Sequence, residues 1–357
     1  MIDSEEHREN LKKIAKKMER KPQSFPKDEN GDPTEAYLEY LSLMYDPEIL
    51  KIVLHLEVFP KAISLLRFSR EVNIDKKKLM ETLEPLAKRG FVVKLGNYYS
   101  LPMPLFIYDM PFILQENIKS DDAIKFAQLS RKFFEEDKYY KTWETSRKGI
   151  PRMRVLTVSE EIEPRREIIP VEEVYSIIKQ KSEFAVIPCP CRTRKEVEGM
   201  RKCKDKYPIH NCILMGPYAK AVLNMGDSDI KSSSKDEVIK LTKEAAELGL
   251  VHCTDNNADN CNILCACCEC CCGMLAGLTR FDNPRAIAKA NYISTIDEGV
   301  CTGCETCLGR CKFGAITVDN AAKINPDKCL GCGLCAVTCP NDAITMKRLE
   351  REVIPGL

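Results

Sequence analysis

Apolar residues recur every three or four positions near the N-terminus, at Leu11, Ile14, Ala15 and Met18. This spacing places them on one face of an α-helix. The segment 21–26 contains two prolines, which cannot continue a helix, so the predicted helix ends there. Because its charges are mixed, the segment 1–32 is predicted to be a charged N-terminal helix in solvent, with an arm that docks on the rest of the chain as the alternative.

The next stretch of the chain alternates helical periodicity with turn residues. Asp75 lies directly before one periodic run, where its side chain is placed to cap a helix. Gly90 closes that helix, and β-branched and aromatic residues on either side of Gly96 indicate a hairpin. The predicted helices span 47–56, 62–69 and 76–88, and the predicted strands span 91–95 and 98–101.

The order helix, helix, turn, helix and hairpin resembles the winged-helix superfamily, which implies a winged-helix-like domain over 33–150 with a helical extension at 121–139. The lysines at 76–78 lie where a DNA-reading helix carries positive charge. Two glutamates and Pro85 follow in the same helix, and the hairpin has little positive charge. A docking or structural module is therefore the favoured interpretation, with DNA binding as the alternative.

A cysteine-rich α/β domain is predicted over 151–292. A helix over 171–181 precedes an apolar strand over 184–187, and cysteines begin where that strand ends. Four thiols that converge across loops are enough for one [4Fe–4S] cluster, and a structural zinc ion is the alternative. The candidate ligands are Cys189, Cys191, Cys203 and Cys212.

The densest cysteine run follows a helix that begins with a capping box at Ser234 and Glu237. Seven cysteines fall between positions 261 and 272, which packing alone does not explain. As a helix, the run would place Cys261, Cys265, Cys268 and Cys272 on one stripe. As a loop, it would cage a cluster with Cys265, Cys267 or Cys268, and Cys271 or Cys272. The spacing leaves the ligands open, and the central domain as a whole is predicted to bind one or two clusters.

The C-terminal region contains a tandem repeat of cysteines. The spacing C-x2-C-x2-C-x3-C recurs after 28 residues, and each half is predicted as strand, cysteine loop, short helix and strand. Structural zinc prefers two separated cysteine pairs, so this pattern favours iron–sulfur clusters. Glycines at 303, 331 and 333 allow the loop backbone a positive φ. The eight cysteines are Cys301, Cys304, Cys307, Cys311, Cys329, Cys332, Cys335 and Cys339.

This repeat resembles the two-[4Fe–4S] ferredoxin family over 293–347, with 348–357 as a tail. The resemblance implies that each cluster takes three cysteines from one motif and one from the other. It assigns Cys301, Cys304, Cys307 and Cys339 to one cluster, and Cys329, Cys332, Cys335 and Cys311 to the other. Lys312 stands where the family usually has proline, and its charge is expected to raise slightly the reduction potential of the cluster that Cys311 binds.

Composition narrows the functional classes. The chain has 357 residues, with 54 basic and 53 acidic side chains, so no overall field favours nucleic acid or membrane. The first residues contain no apolar signal segment, and no apolar run is long enough for a membrane span. Twenty cysteines in such a chain indicate bound metal in a reducing cytoplasm rather than disulfides. Oxygen-labile clusters would suit an anaerobic cell.

The order of these regions resembles multi-cluster 4Fe–4S ferredoxin-type proteins of anaerobic bacteria and archaea. The predicted fold class is α+β, with an N-terminal winged helix, a central cysteine-rich α/β domain and a C-terminal two-cluster ferredoxin domain. The predicted function is single-electron transfer between redox proteins or oxidoreductase subunits. No general-base pair, phosphate loop or dinucleotide motif predicts a stand-alone enzyme.

Two other functional classes stay open. One is a winged-helix regulator that senses redox state and binds DNA. The other is a subunit of a thiol–disulfide reductase, because the triplet Cys271-Cys272-Gly273 locally resembles the CCG domain of heterodisulfide reductases. That family also places cysteines downstream of the triplet, where Cys301 and Cys304 already belong to the ferredoxin repeat.

Overall fold

The computed structural model describes residues 2–19, 24–145, 149–158, 173–257 and 261–349. Helices and several small sheets give the α+β class predicted from the sequence. The chain divides into two compact units, each of which collects separate segments. The first comprises Met1–Arg147, Pro190–Arg201 and Met225–Asp229; the second comprises Lys148–Cys189, Lys202–Asn224 and Ile230–Leu357. Among the described residues, no helix has both the length and the apolar character that crossing a membrane requires.

The first unit is mainly helical. Its α-helices are Glu5–Met18, Glu35–Ser42, Pro47–Val53, Leu65–Glu71, Lys76–Lys88, Pro104–Asp109, Gln115–Ile118, Ala123–Arg131, Tyr140–Glu144 and Pro190–Val197. A 3-10 turn at Met110–Phe112 and a π-helical turn at Lys132–Glu136 continue two of them. The predicted cap is confirmed, since Asp75 Oδ1 accepts the N–H of Lys77 at 2.9 Å.

A small antiparallel sheet lies beside these helices. Its strands are Ile63–Ser64, Tyr98–Ser100 and Val93–Leu95, in that spatial order. The predicted hairpin is therefore present, and Ile63–Ser64 begins where the sequence predicted a helix. The three lysines at 76–78 are exposed. The winged-helix assignment and DNA binding stay predictions.

Aromatic side chains form the core of the first unit. The ring of Tyr40 meets the rings of Phe126 and Phe133 edge-on, with centroids 5.1 and 5.3 Å apart. Arg194 is buried among them, 4.1 Å above the ring of Tyr108, and pairs with Asp109 at 3.2 Å. A buried guanidinium needs such a partner, because an isolated charge in an apolar core is strongly unfavourable.

The second unit is built on an antiparallel sheet, which has six strands in the described residues. Their spatial order is Met153–Val155, Val251–Asp255, Ile263–Cys267, His210–Met215, Phe184–Pro188 and Lys231–Ser233. The accompanying helices are Val174–Gln180, Pro217–Leu223, Lys235–Glu247 and Gly273–Thr279. The capping box predicted at Ser234 and Glu237 is confirmed. The predicted start of the helix at 171–181 lies outside the described residues.

The C-terminal repeat also belongs to the second unit. The strands Tyr292–Ile296 and Ile344–Arg348 pair with each other, as do Ile316–Val318 and Ala322–Ile324. The helices Thr306–Arg310 and Leu334–Val337 follow the two cysteine loops. The predicted order of strand, loop, helix and strand in each half is confirmed.

This C-terminal module packs directly on the edge of the six-stranded sheet. Thr157 Oγ1 donates to Gly331 O at 2.8 Å, and Val158 N donates to Cys332 O at 3.0 Å. Leu330 and Leu334 share one hydrophobic core with the sheet. The second cysteine loop is therefore hydrogen-bonded to the segment that follows the edge strand Met153–Val155.

Two loop glycines allow this close approach. Gly331 and Gly333 have φ values of +73° and +79°, which L side chains rarely adopt. A Cβ at Gly333 would collide with the carbonyl oxygen of Val158, and one at Gly331 with that of Tyr292. The positive φ predicted for the loop glycines, including Gly303 at +64°, is confirmed.

Candidate metal centres

The eight C-terminal cysteines line two separate cavities. One cavity is lined by the first quartet, which is Cys301, Cys304, Cys307 and Cys339. The other is lined by the second quartet, which is Cys311, Cys329, Cys332 and Cys335. Each quartet combines three cysteines of one motif with one cysteine of the other. This is the grouping that the ferredoxin resemblance implies.

The thiols of both quartets influence one another electrostatically. Burial raises the pKa of Cys307, and the charges of the other first-quartet cysteines raise it further. Burial likewise raises the pKa of Cys335 to about 11, with further contributions from Cys329, Cys311 and Cys307. Thiols in this setting ionise together only when nearby positive charge compensates them, as the irons of a cluster do. The donor set therefore fits iron–sulfur clusters.

Backbone N–H groups point at the sulfurs in equivalent positions of the repeat. Ala315 N donates to Cys311 Sγ and Ala343 N to Cys339 Sγ, each at 3.3 Å. The two pairs are related by the 28-residue repeat. Hydrogen bonds to cysteine sulfur stabilise the thiolate and tune the potential of a cluster. This feature also fits the expected clusters.

The two quartets differ in their exposure to solvent. Cys304 of the first quartet is exposed, and a hydrogen bond with the Thr306 hydroxyl lowers its pKa. The second quartet contains no exposed thiol, and Cys329 and Cys335 are buried. The first quartet therefore lies nearer to solvent and to any redox partner.

Four central cysteines form a compact group, Cys203, Cys268, Cys270 and Cys271. Their sulfurs all lie within 4.8 Å of one another, and no other such set of three or more His, Cys, Asp or Glu ligands occurs in the described residues. Cys203 Sγ lies 3.7 Å from Cys271 Sγ and 4.0 Å from Cys268 Sγ. A hydrogen bond with Cys268 raises the pKa of Cys270 to about 12.

Five further cysteines form the sheet group, Cys212, Cys253, Cys265, Cys267 and Cys272. Cys265 and Cys267 are two positions apart on the strand Ile263–Cys267, so their side chains share a face. Cys253 lies directly opposite Cys265 on the neighbouring strand. Cys212 Sγ lies 3.9 Å from Cys265 Sγ, and Cys272 contacts Cys267.

Buried contacts between thiols dominate the electrostatics of the sheet group. A hydrogen bond with Cys212 raises the pKa of Cys265 well above its usual value, and burial adds to this effect. For Cys253, a hydrogen bond with Cys267 lowers the pKa, but burial and neighbouring thiols, including Cys332, raise it overall. Cys332 belongs to the second quartet, so that quartet and the sheet group are neighbours.

The cysteine run is neither the helix nor the single loop that the sequence left open. Cys265 and Cys267 lie on a strand, and a turn over 268–272 precedes the helix Gly273–Thr279. The sequence treated Cys203 and Cys212 as parts of one set, whereas they contact different groups. Their ligand set with Cys189 and Cys191 stays a prediction.

Cys189 and Cys191 occupy different environments. Cys189 follows the strand Phe184–Pro188, and its N–H donates to Ile209 O at 2.9 Å. Cys191 is half-buried in the helix Pro190–Val197 of the first unit, near Asp109 and Arg194.

Sequence reasoning missed Cys253 and Cys270. Cys253 precedes the run and is recognisable only when its strand is paired with the strand of Cys265. Alternation along a single strand could not supply that signal, because the register between two strands decides which residues lie opposite each other. Cys270 carries no signal of its own within a run of similar residues.

Comparison with known families identifies the C-terminal module. Residues 288–346 match the family model described as a 4Fe-4S dicluster domain. A comparison with curated proteins and with solved structures gives no match. The family match covers the tandem motifs and both quartets, and it indicates two [4Fe–4S] clusters in this region. The C-terminal module is thus a ferredoxin-type domain.

Proposed function

We propose that this protein transfers single electrons through three [4Fe–4S] clusters. The first and second quartets bind one cluster each, and the sheet group binds the third through Cys212, Cys265, Cys267 and Cys272. Each cluster stores one electron at a time when bound. The clusters carry that electron between the central region and a redox partner that binds at the surface.

The continuity of the three thiol sets carries this proposal. Burial has the largest effect on the pKa of Cys335 in the second quartet. Cys307 of the first quartet is close enough to raise that pKa further. Cys332 of the second quartet has the same influence on Cys253, beside Cys267 of the sheet group. The sets therefore form a series that begins at the exposed Cys304.

The sheet group lacks the close packing of several sulfurs that the compact group shows. In a cubane each cysteine binds a different iron, so the four sulfurs stand apart. The two quartets contain no three sulfurs within 4.8 Å of one another in the described chain, and the same holds for the sheet group. The sheet group shares this property with the two quartets, although its Cys212 and Cys265 sulfurs alone lie 3.9 Å apart.

The surroundings suit electron transfer. Cys253 and Cys272 belong to the hydrophobic core, and Cys265, Cys267 and Cys332 pack against it. An apolar environment excludes water and protects a cluster from hydrolysis, while the backbone N–H donors at Cys311 and Cys339 stabilise charge. Exposure of Cys304 leaves one end of the series open to a partner.

Iron and acid-labile sulfide, measured on protein purified without oxygen, test the proposal. We expect about twelve of each per chain, given four per cubane. Cys265→Ser should lose about four irons and keep the spin–spin interaction of the two C-terminal clusters in the reduced EPR spectrum.

Cys261→Ser is the matched control for Cys265→Ser. Cys261 lies in the same run but belongs neither to the sheet group nor to the compact group, so the control should keep all its iron. A wild-type content of about eight irons would refute the third cluster and leave the two of the dicluster domain. Failure of the chemically reduced protein to pass electrons to a one-electron acceptor would refute the electron-transfer function itself.

A further inference from the structure

The compact group differs from the other thiol sets in its dimensions. The recorded separations are 3.7 Å between the sulfurs of Cys203 and Cys271, 3.7 Å between those of Cys270 and Cys271, and 4.0 Å between those of Cys203 and Cys268. Four thiolates that surround one zinc ion at about 2.3 Å occupy a tetrahedron whose edges are about 3.8 Å. The three separations match that edge.

The same chain provides an internal reference. In the first and second quartets, which lie in the dicluster domain, no three sulfurs lie within 4.8 Å of one another, whereas all four sulfurs of the compact group do. The difference is one of size. Sulfurs that bind four separate irons stand farther apart than sulfurs that bind one ion.

Local backbone structure brings these four residues together. Cys272 N donates to Cys268 O at 3.1 Å, which closes a turn and places the thiols of Cys268, Cys270 and Cys271 close together. Cys203 begins a second turn, since Tyr207 N donates to its carbonyl oxygen at 3.0 Å. Two turns that face each other with cysteine side chains are a common frame for a structural metal ion.

The donor set and its surroundings favour zinc. All four ligands are cysteines, and three of them are buried, so no open position remains for water or substrate. Glu269, which lies between two of the ligands, pairs with Lys312 at 3.3 Å. A closed tetrathiolate site of this kind is structural, because a catalytic zinc ion keeps one position free.

We propose that Cys203, Cys268, Cys270 and Cys271 bind one zinc ion. The ion ties the loop that begins at Cys203 to the turn after the strand Ile263–Cys267. It thereby holds Cys272, which follows Cys271 in the chain, close to the other cysteines of the sheet group. This site carries no electrons and is independent of the proposed third cluster.

Metal analysis of the anaerobically purified protein, with zinc and iron counted together, tests the site. We expect about one zinc per chain, and Cys270→Ser should lose most of it while keeping the wild-type iron content. Cys261→Ser, a change in the same run outside the compact group, should keep both metals. Absence of zinc from the wild type, with loss of about four irons in Cys270→Ser, would overturn the proposal and assign a cluster to these thiols.

X-ray absorption at the zinc edge tests the proposal on the wild-type protein. This test can be made even if Cys270→Ser does not fold. We expect a single shell of four sulfurs at about 2.3 Å. A shell that contains nitrogen or oxygen would refute the tetrathiolate site. A wild-type iron content of about eight would refute the third cluster alone, because the zinc count does not depend on it.

Discussion

The C-terminal quartets and the sheet group obtain similar ligands in opposite ways. In the C-terminal module, three of each four cysteines lie within seven residues, and the fourth comes from the repeated motif. In the central region, the sheet group takes its cysteines from three strands and the start of a helix. A local motif specifies a cluster by spacing, whereas a distributed site depends on the pairing of strands.

The comparison also concerns how the two regions depend on each other. The second quartet is held by hydrogen bonds from Thr157 and Val158, which belong to the segment beside the sheet. Its loop therefore uses the central region as a support. A substitution that disturbs this contact should therefore destabilise the C-terminal clusters.

Gly333→Ala is the change expected to have the largest effect. The new Cβ would meet the Val158 carbonyl oxygen at a residue whose φ is +79°. We expect this strain to lower the free energy of unfolding by about 3 kcal/mol, and to lower the temperature at which cluster absorbance is lost.

Gly309→Ala is the matched control for Gly333→Ala. Gly309 lies in the helix Thr306–Arg310 of the same module, and a new Cβ there would have no atom within 4 Å apart from its chain neighbours and the backbone of its own helix. Alanine favours the helix by up to about 1 kcal/mol, so stability should be unchanged or slightly higher. Equal thermal profiles for the two variants would show that the contact with Val158 is unimportant.

Exposure to air should release iron from the clusters at different rates, according to how exposed their ligands are to solvent. The expected effect is intermediate between those of Gly333→Ala and Lys312→Gln. Cys304 is exposed, whereas the proposed ligands Cys212 and Cys272 of the sheet group are buried, so the first quartet should lose its iron first and several-fold faster. The measurement is the time course of iron release to a chelator after controlled exposure to air. Cys265→Ser should retain the fast phase. Loss of that phase in Cys265→Ser would mean that the central cluster is the labile one.

Lys312→Gln should have the smallest effect. Lys312 follows Cys311 of the second quartet and pairs with Glu269 at 3.3 Å, so its charge is partly compensated. Removing the charge should lower the potential of the second cluster by an amount on the order of tens of millivolts. Redox titration followed by EPR measures the shift. Glu269→Gln should move the potential in the opposite direction, and equal shifts in both variants would contradict the electrostatic explanation.

The sequence alone was sufficient for the features that short-range spacing encodes. The tandem motifs predicted the module that the family match identifies, and the caps at Asp75 and Ser234 are present. The grouping of the central thiols was beyond reach, because it depends on the register that places Cys253 opposite Cys265. Spacing along the chain cannot distinguish neighbours on a strand from neighbours across a sheet.

The repeated halves of the C-terminal module have one further consequence. Two sites with equal ligands and equal hydrogen bonds to sulfur would accept an electron equally well. Contact with the sheet surrounds the second site with apolar atoms, while the first remains beside solvent. Added negative charge is less favourable in the apolar setting, so the first electron is expected to reside on the solvent side. A duplicated motif thus acquires a direction from the surface against which it packs.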